Sequence, residues 1–406
     1  MMTLHLTPEQ ARAIQSFTAA DREPLRRRAQ LLLLYNNGLS TAEVAQQLGL
    51  SLSRTRYWRR QFMLRGMAIF PEAAPRPNPA ETALALPAPL AAAGVLGDDS
   101  LAEAGRKILL FHFAEMLRHE PGTRLGEDIE ALHDMRVATR RLRAAFAVFG
   151  QAYKTKALKP FLTGARNTGR ALGRVRDLDV LLDKLQRYCA SLPAEQKDGL
   201  LPLAEAWQTE RQQARQALIA HLDSPAYETF KHTFNQFLQT PDAGRQHPYA
   251  EAALPSRVRD AVPLLLYTRL AAVHAYDPIL PTADLAQLHA LRIEFKRLRY
   301  TVEFFREILG ASAKSVIEEL KALQDHLGEL HDADVTCSLI QQFLTAWEEK
   351  LARTPLAERR NPQPIVVYLA ELHAERHRLM MAFPPAWERF RRGEFQHNLA
   401  QAIACL

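Results

Sequence analysis

Two stretches of the sequence carry the same ordered set of polar side chains. LHDMRVATRRLR begins at Leu132 and LHALRIEFKRLR at Leu288, which places His133 and His289 156 residues apart in a common frame, L-H-x-x-R-[VI]-x-x-x-[RK]-R-L-R. On a helix, His133, Arg136, Arg140 and Arg143 fall within an arc of about 80°, and His289, Arg292, Lys296 and Arg299 repeat that arc. Cations one turn apart, about 5.4 Å, suit an extended chain of phosphates. Arg brings forked donors to phosphate oxygens and Lys a compact charge. Arg141 and Arg297 add a further matched pair. Each histidine could donate a hydrogen bond, or gain charge beside phosphate. The plainer alternatives are a solvated or ion-paired helix face, with the histidines used in helix packing. Like charges three and four residues apart destabilise a helix. Residues 131–176 hold eleven Lys+Arg against one acid, Asp134, so local pairing cannot neutralise this row.

A second pair of blocks follows at nearly the same offset: LGRVRDLDV from Leu172 and LGELHDADV from Leu327. Arg166, Arg170 and Arg174 lead into the first, four residues apart on one face. The second is less basic, with Lys321, His326 and His331. Asp177-x-Asp179 and Asp332-x-Asp334 have the composition of metal-binding pairs, but residues two apart point to different sides of a helix. Asp177 and Asp332 are therefore expected to orient the basic helices. His326 and His331 are five apart, a poor ligand spacing. No phosphate loop, nucleophile elbow or zinc set is present, so we expect no catalytic residues, no metal and no cofactor.

These side chains must be positioned by helices. The sequence is rich in Ala and Leu, has only 17 Gly, and lacks long β-branched runs. Two blocks recurring in the same order and spacing mark a duplicated unit. In the first copy the pattern predicts a helix from Leu101 stopped by Pro121-Gly122, the first basic helix, then helices over 156–188 and 194–222. In the second it predicts helices over 256–276, 283–309, 312–347 and 364–382, with a tail helix near 386–404. The expected fold is all-α: two pseudo-symmetric four-helix bundles, 101–235 and 250–406, preceded by a small module, 1–70. Residues 71–100, with six prolines and many alanines, read as a linker.

The paired blocks resemble the CHAD domain, the conserved histidine α-helical domain, over roughly residues 101–385. That resemblance implies two four-helix bundles related by pseudo-twofold symmetry. It also implies binding of inorganic polyphosphate through basic residues, and targeting to polyphosphate granules. His133 and His289 match the family histidines; Arg136, Arg140, Arg143, Arg292, Lys296 and Arg299 match its basic positions. This sequence departs in the second copy, where Glu329 and His331 stand opposite Arg174 and Arg176, so the first copy is expected to bind more strongly.

The module has its own signature. An Arg-rich helix over 22–37 ends at Asn37-Gly38, and LSTAEVAQQLGLSLSRTRYWRRQFMLRGM follows. Ser40 or Thr41 can cap a short helix with Glu43 in its first turn. Ala45 permits close crossing, and Gly49 a tight turn before a helix opening at Ser51. This resembles a helix-turn-helix of the transposase or resolvase type, with Ser53, Arg54, Arg56, Tyr57, Arg59 and Arg60 on the helix that would meet DNA. Thr55 stands where such motifs usually carry an apolar residue. A protein–protein module, or a relic with no specific site, is the alternative.

Charge placement agrees with two polyanion surfaces. The 406 residues hold 52 Lys+Arg and 45 Asp+Glu, net +7. Residues 1–70 carry +6 and residues 131–176 carry +10, leaving −9 elsewhere. Three scattered cysteines give no disulfide framework, and neither a signal-peptide pattern nor a run of about 20 apolar residues is present. We expect a cytoplasmic protein, at polyphosphate granules or the nucleoid, that binds polyphosphate without catalysis and touches DNA through its module. The rivals are a DNA-binding regulator whose helical domain senses a phosphorylated ligand, and a polyphosphate-processing enzyme.

Overall fold

A computed structural model describes residues 4, 6–19, 23–70, 90–246 and 257–406, which form two compact units. The described residues are helical apart from connections and two isolated bridges, Ser100 to Arg257 and Tyr153 to Arg245. Residues 71–89, most of the expected linker, lie outside the described set.

The N-terminal module has four helices: α1 (Pro8–Ser16), α2 (Glu23–Asn36), α3 (Thr41–Leu48) and α4 (Leu52–Arg65). Their periodic apolar residues make one core, with Leu31, Leu32, Tyr35, Val44, Trp58 and Phe62 buried. Ser40, not Thr41, caps α3, in a full capping box with Glu43. Gly49 ends α3 at φ +63°, a conformation that favours glycine, and Ser51 caps α4. Thr55 is fully buried, and its hydroxyl returns a hydrogen bond to the Ser51 carbonyl at 3.0 Å. A threonine thus fills an apolar position without an unsatisfied polar group. Arg28 is buried too, its guanidinium stacked 4.0 Å over Trp58.

The second unit is the duplicated region. Its first copy runs α5 (Leu101–Leu125), α6 (Ile129–Phe149), α7 (Thr155–Ser191), α8 (Ala194–Lys197), α9 (Leu201–Leu222) and α10 (Pro225–Gln239). The second runs α11 (Val258–His274), α12 (Leu285–Phe304), α13 (Ser312–Leu351), α14 (Gln363–Arg391) and α15 (Glu394–Ile403). These are two pseudo-symmetric four-helix bundles, each extended by a short final helix. The basic blocks are α6 and α12; the L-G-x-x-x-D-x-D blocks lie in α7 and α13.

Two expected helix ends moved. Pro121-Gly122 does not stop α5, which continues to Gly126 at φ +68°. Gly122 serves instead for close approach, since a Cβ there would lie 2.7 Å from that of Ala131. Likewise α14 passes through Pro384-Pro385 and breaks only at Gly393, φ +94°. Phe383, Trp387 and Phe390 form a buried stripe across that proline pair, and their burial offsets the lost backbone bonds.

Residues 90–100 are held against the bundles rather than hanging free. The Ala93 and Val95 N–H groups donate to the Glu307 carboxylate at 3.0 and 2.9 Å, and Val258 N–H donates to the Asp99 carbonyl at 3.0 Å. The bundles meet through Phe149, 6.0 Å from Phe304 and 5.5 Å from Phe305 between ring centres. They meet again where Tyr188 stacks on Tyr368 at 4.4 Å.

Close helix approach yields a stability test. A Cβ on Gly164 would overlap the Phe230 ring, whereas one on Gly173 meets nothing nearer than Arg136 Nε at 3.8 Å. Gly164→Ala is expected to cost about 1–3 kcal/mol by overpacking. Gly173→Ala, in a helix interior, is expected to gain about 0.5–1 kcal/mol. Thermal unfolding of the two variants checks the contrast.

Candidate cationic site

The apolar stripes of α6 and α12 decide which way their cations face. Leu132, Met135, Leu142, Phe146 and Phe149 are buried on α6, as are Leu288, Leu291, Phe295 and Leu298 on α12. The adjoining arcs are thereby turned toward one another. A cavity of about 470 Å³ lies there, lined by Arg136, Arg140 and Arg143 of α6, Arg166 of α7, Lys296 and Arg297 of α12, and Arg269 of α11. Seven cations share that wall and no carboxylate does.

Crowding shows in the proton affinities. Desolvation, then Arg292, Arg140, Arg136 and Arg143, push the Lys296 ammonium down to about 8. Arg136, Arg143 and Arg292 are each lowered as well, first by desolvation and then by neighbouring guanidinium groups, with Asp177 and Asp332 pulling Arg136 and Arg292 the other way. Arg140 Nε, at the cavity wall, and Arg292 Nε, whose residue does not line the cavity although it was expected at the site, are buried with no hydrogen-bond partner among the described residues. Donors in that condition are poised for an anion.

The second blocks explain themselves at this site. Gly173 and Gly328 lie under the side chains of Arg136 and Arg292: a Cβ on either would sit 3.8 or 3.7 Å from the Arg Nε. Asp177 accepts from Arg136 Nη2 at 2.8 Å, the orienting role expected of it. Asp332 acts on Arg292 through its charge. The second aspartate of each pair turns to the following long helix instead. Asp179 accepts from Arg211 Nε at 2.5 Å, and Asp334 from Arg376 Nη1 at 2.6 Å. Each D-x-D thus faces two neighbouring helices.

Several expected residues stand elsewhere. Arg299 is buried; its Nε donates to Gln324 at 2.8 Å, its Nη1 is paired with Glu303, and it lies 4.7 Å from the Tyr300 ring centre. The cause is readable by superposing the copies. Opposite Glu303 and Gln324, the first copy has Ala147 and Gly169, so Arg143 is left open to the cavity. Arg141 is drawn to the other oxygen of Glu303, at 3.6 Å. Arg174 is exposed and paired with Glu210, Arg170 is exposed beside Asn167, and Lys321 is exposed on α13; none of them lines the cavity. Arg297 does line it, held from behind by Glu294 at 2.5 Å.

His133 and His289 sit one turn before Arg136 and Arg292, outside the cavity wall. Desolvation and nearby cations lower both, so the rings are neutral near pH 7, and each Nδ1 is buried with no hydrogen-bond partner among the described residues. His289 also packs on His331 at 4.2 Å, and desolvation with Arg292 lowers His331 to about 4. Sequence reasoning missed Arg269 and Tyr300. Arg269 had one signal, a single cation in the apolar run LLLYTRLAAV; Tyr300 had none beyond its place in the basic block.

In the module, Arg56 and Arg60 are exposed four residues apart on α4. Arg54, Tyr57 and Arg59 are half-buried; Arg59 lies 5.1 Å from the Tyr35 ring centre, and Tyr57 meets Trp58 edge-on at 5.0 Å. Ser53 lies on α4, but its side chain falls outside the described residues.

Comparison with known proteins agrees with this geometry. The CHAD domain family model matches residues 107–341, and a homeodomain-like domain model matches 23–68. The uncharacterized proteins MT2285 and Rv2226 of Mycobacterium tuberculosis are 28% identical over 222 residues, 53% of this chain. The chain spans 41% of the length of these curated relatives. The crystal structure of the CHAD domain from the plant Ricinus communis aligns at TM-score 0.52 and 25% identity, covering 77% of this chain and 94% of that one. PptA from Streptomyces chartreusis aligns at TM-score 0.50 and 20% identity, covering 71% and 99%, a likeness of fold alone. With its duplicated blocks, paired basic helices and a family model matched over more than half its length, the chain belongs to the CHAD domain family and carries a homeodomain-like helix-turn-helix at its N-terminal end.

Proposed function

We propose that the chain binds inorganic polyphosphate, without processing it, at the cavity where α6 and α12 meet, and that its N-terminal module contacts DNA. The observation that carries this reading is the wall of seven cations with no carboxylate. An extended polyanion satisfies idle guanidinium donors and relieves the mutual repulsion of the cations. The noncatalytic part rests on the same wall, which offers charge and apolar surface but no carboxylate to hold a divalent ion or take a proton. Holding long polyphosphate in this way would bring the chain to polyphosphate granules; exposed Arg56 and Arg60 would meet DNA phosphates.

Two outcomes test the reading. Arg136→Glu combined with Arg140→Glu is expected to weaken long-chain polyphosphate binding by about 100-fold at moderate salt. Arg299→Gln is expected to lower the melting temperature while changing that affinity by less than about twofold, because Arg299 is spent on Glu303 and Gln324. Unchanged binding in the double variant, measured by calorimetry, contradicts the site.

The Lys296 ammonium supplies a pH test. A bound polyanion restores it toward the ordinary lysine value, about 10.4, so binding takes up a proton once pH exceeds 8. Affinity is expected to be full below pH 8 and to fall between pH 8 and about 10, and Lys296→Met should flatten that fall. Calorimetry in buffers of different ionisation enthalpy reads the uptake directly; proton release in that window counts against the assignment. For the module, Arg56→Ala with Arg60→Ala is expected to reduce the slope of log affinity for duplex DNA against log salt by about 2, and an unchanged slope removes α4 from the DNA contact.

A further inference from the structure

The same cavity has features that a bare phosphate chain does not use. Part of its wall is apolar: Ala144 and Ala147 of α6, Leu162 of α7 and Ile293 of α12 face it beside the cations. Ile293 is 37% exposed, on the same helix as Lys296 and Arg297. Tyr300 completes that wall. It is 3% exposed, yet its hydroxyl has no hydrogen-bond partner among the described residues. A buried hydroxyl left idle costs free energy unless a ligand meets it. The volume, about 470 Å³, falls in the range of sites that enclose one small organic molecule.

We propose that this cavity also takes a nucleoside polyphosphate, with the phosphate tail among Arg136, Arg140, Arg143 and Lys296. The base and sugar lie on the apolar wall at Ile293 and Leu162, and the Tyr300 hydroxyl bonds an oxygen or nitrogen of the nucleoside. The assignment shares its cations with the polyphosphate reading but does not depend on it. Inorganic polyphosphate needs only the cationic part of the wall, whereas the nucleoside uses the remainder.

The test compares adenosine and guanosine triphosphates with inorganic tripolyphosphate on the full chain at one salt and pH. Tripolyphosphate has one more ionisable oxygen than either nucleotide, so charge alone favours it. At least one nucleotide is expected to bind about tenfold more tightly than tripolyphosphate, and to displace long-chain polyphosphate. Ile293→Ser and Tyr300→Phe, both soluble and with wild-type melting, are each expected to shrink the ratio of nucleotide to tripolyphosphate affinity. Nucleotides that bind no better than tripolyphosphate overturn the proposal, as does a ratio that survives both substitutions. Long-chain polyphosphate binding without nucleotide competition sinks this inference alone; nucleotide binding without polyphosphate binding sinks only the other reading.

Discussion

Seven like charges around one cavity repel one another, and much of the surrounding fold acts to contain that repulsion. The driving term is apolar burial on the adjoining arcs of α6 and α12, where each fully buried Leu, Met or Phe is worth about 1.5–3 kcal/mol. The nine in those two stripes are enough to hold the helices face to face against the charge. Local devices do the rest. Asp177 takes part of the Arg136 charge, and Lys296 yields its proton more readily than a free lysine. A polyanion, the ligand proposed here, would remove the remaining repulsion.

Duplication produced two basic helices, and divergence made them unequal. Arg143 opens onto the cavity while its counterpart Arg299 is locked in the core by Glu303 and Gln324. Past α6, the first copy keeps Arg166, Arg170 and Arg174 where the second has Lys321, Asp325 and Glu329. The result is one composite cavity weighted toward the first copy, completed by Lys296, Arg297 and Arg269 from the second. Each copy supplies cations that the other lacks, so residues of both copies line one cavity.

How far the sequence carried the reading depended on whether its signal was local. The repeat, the two basic helices and the opposed directions of each D-x-D are legible in the sequence, and Asp177 meets Arg136 as expected. The proline stops misled: α5 runs past Pro121-Gly122, and a buried aromatic stripe of Phe383, Trp387 and Phe390 carries α14 across Pro384-Pro385. Arg299 misled for a related reason. Its partners Glu303 and Gln324 were visible in the sequence, but only comparison with Ala147 and Gly169 reveals their effect. Arg269 and Tyr300 come from tertiary placement, which a one-dimensional pattern does not encode.

The claim at the centre of this account is convergence: α6 and α12 together make one anionic-ligand site. The most direct measurement is the stoichiometry of inorganic tripolyphosphate binding to the full chain by calorimetry at moderate salt. One ligand per chain, lost when either Arg140 or Lys296 is replaced by Glu, is the predicted result. Two equivalent ligands per chain, with each substitution removing only one, would contradict it.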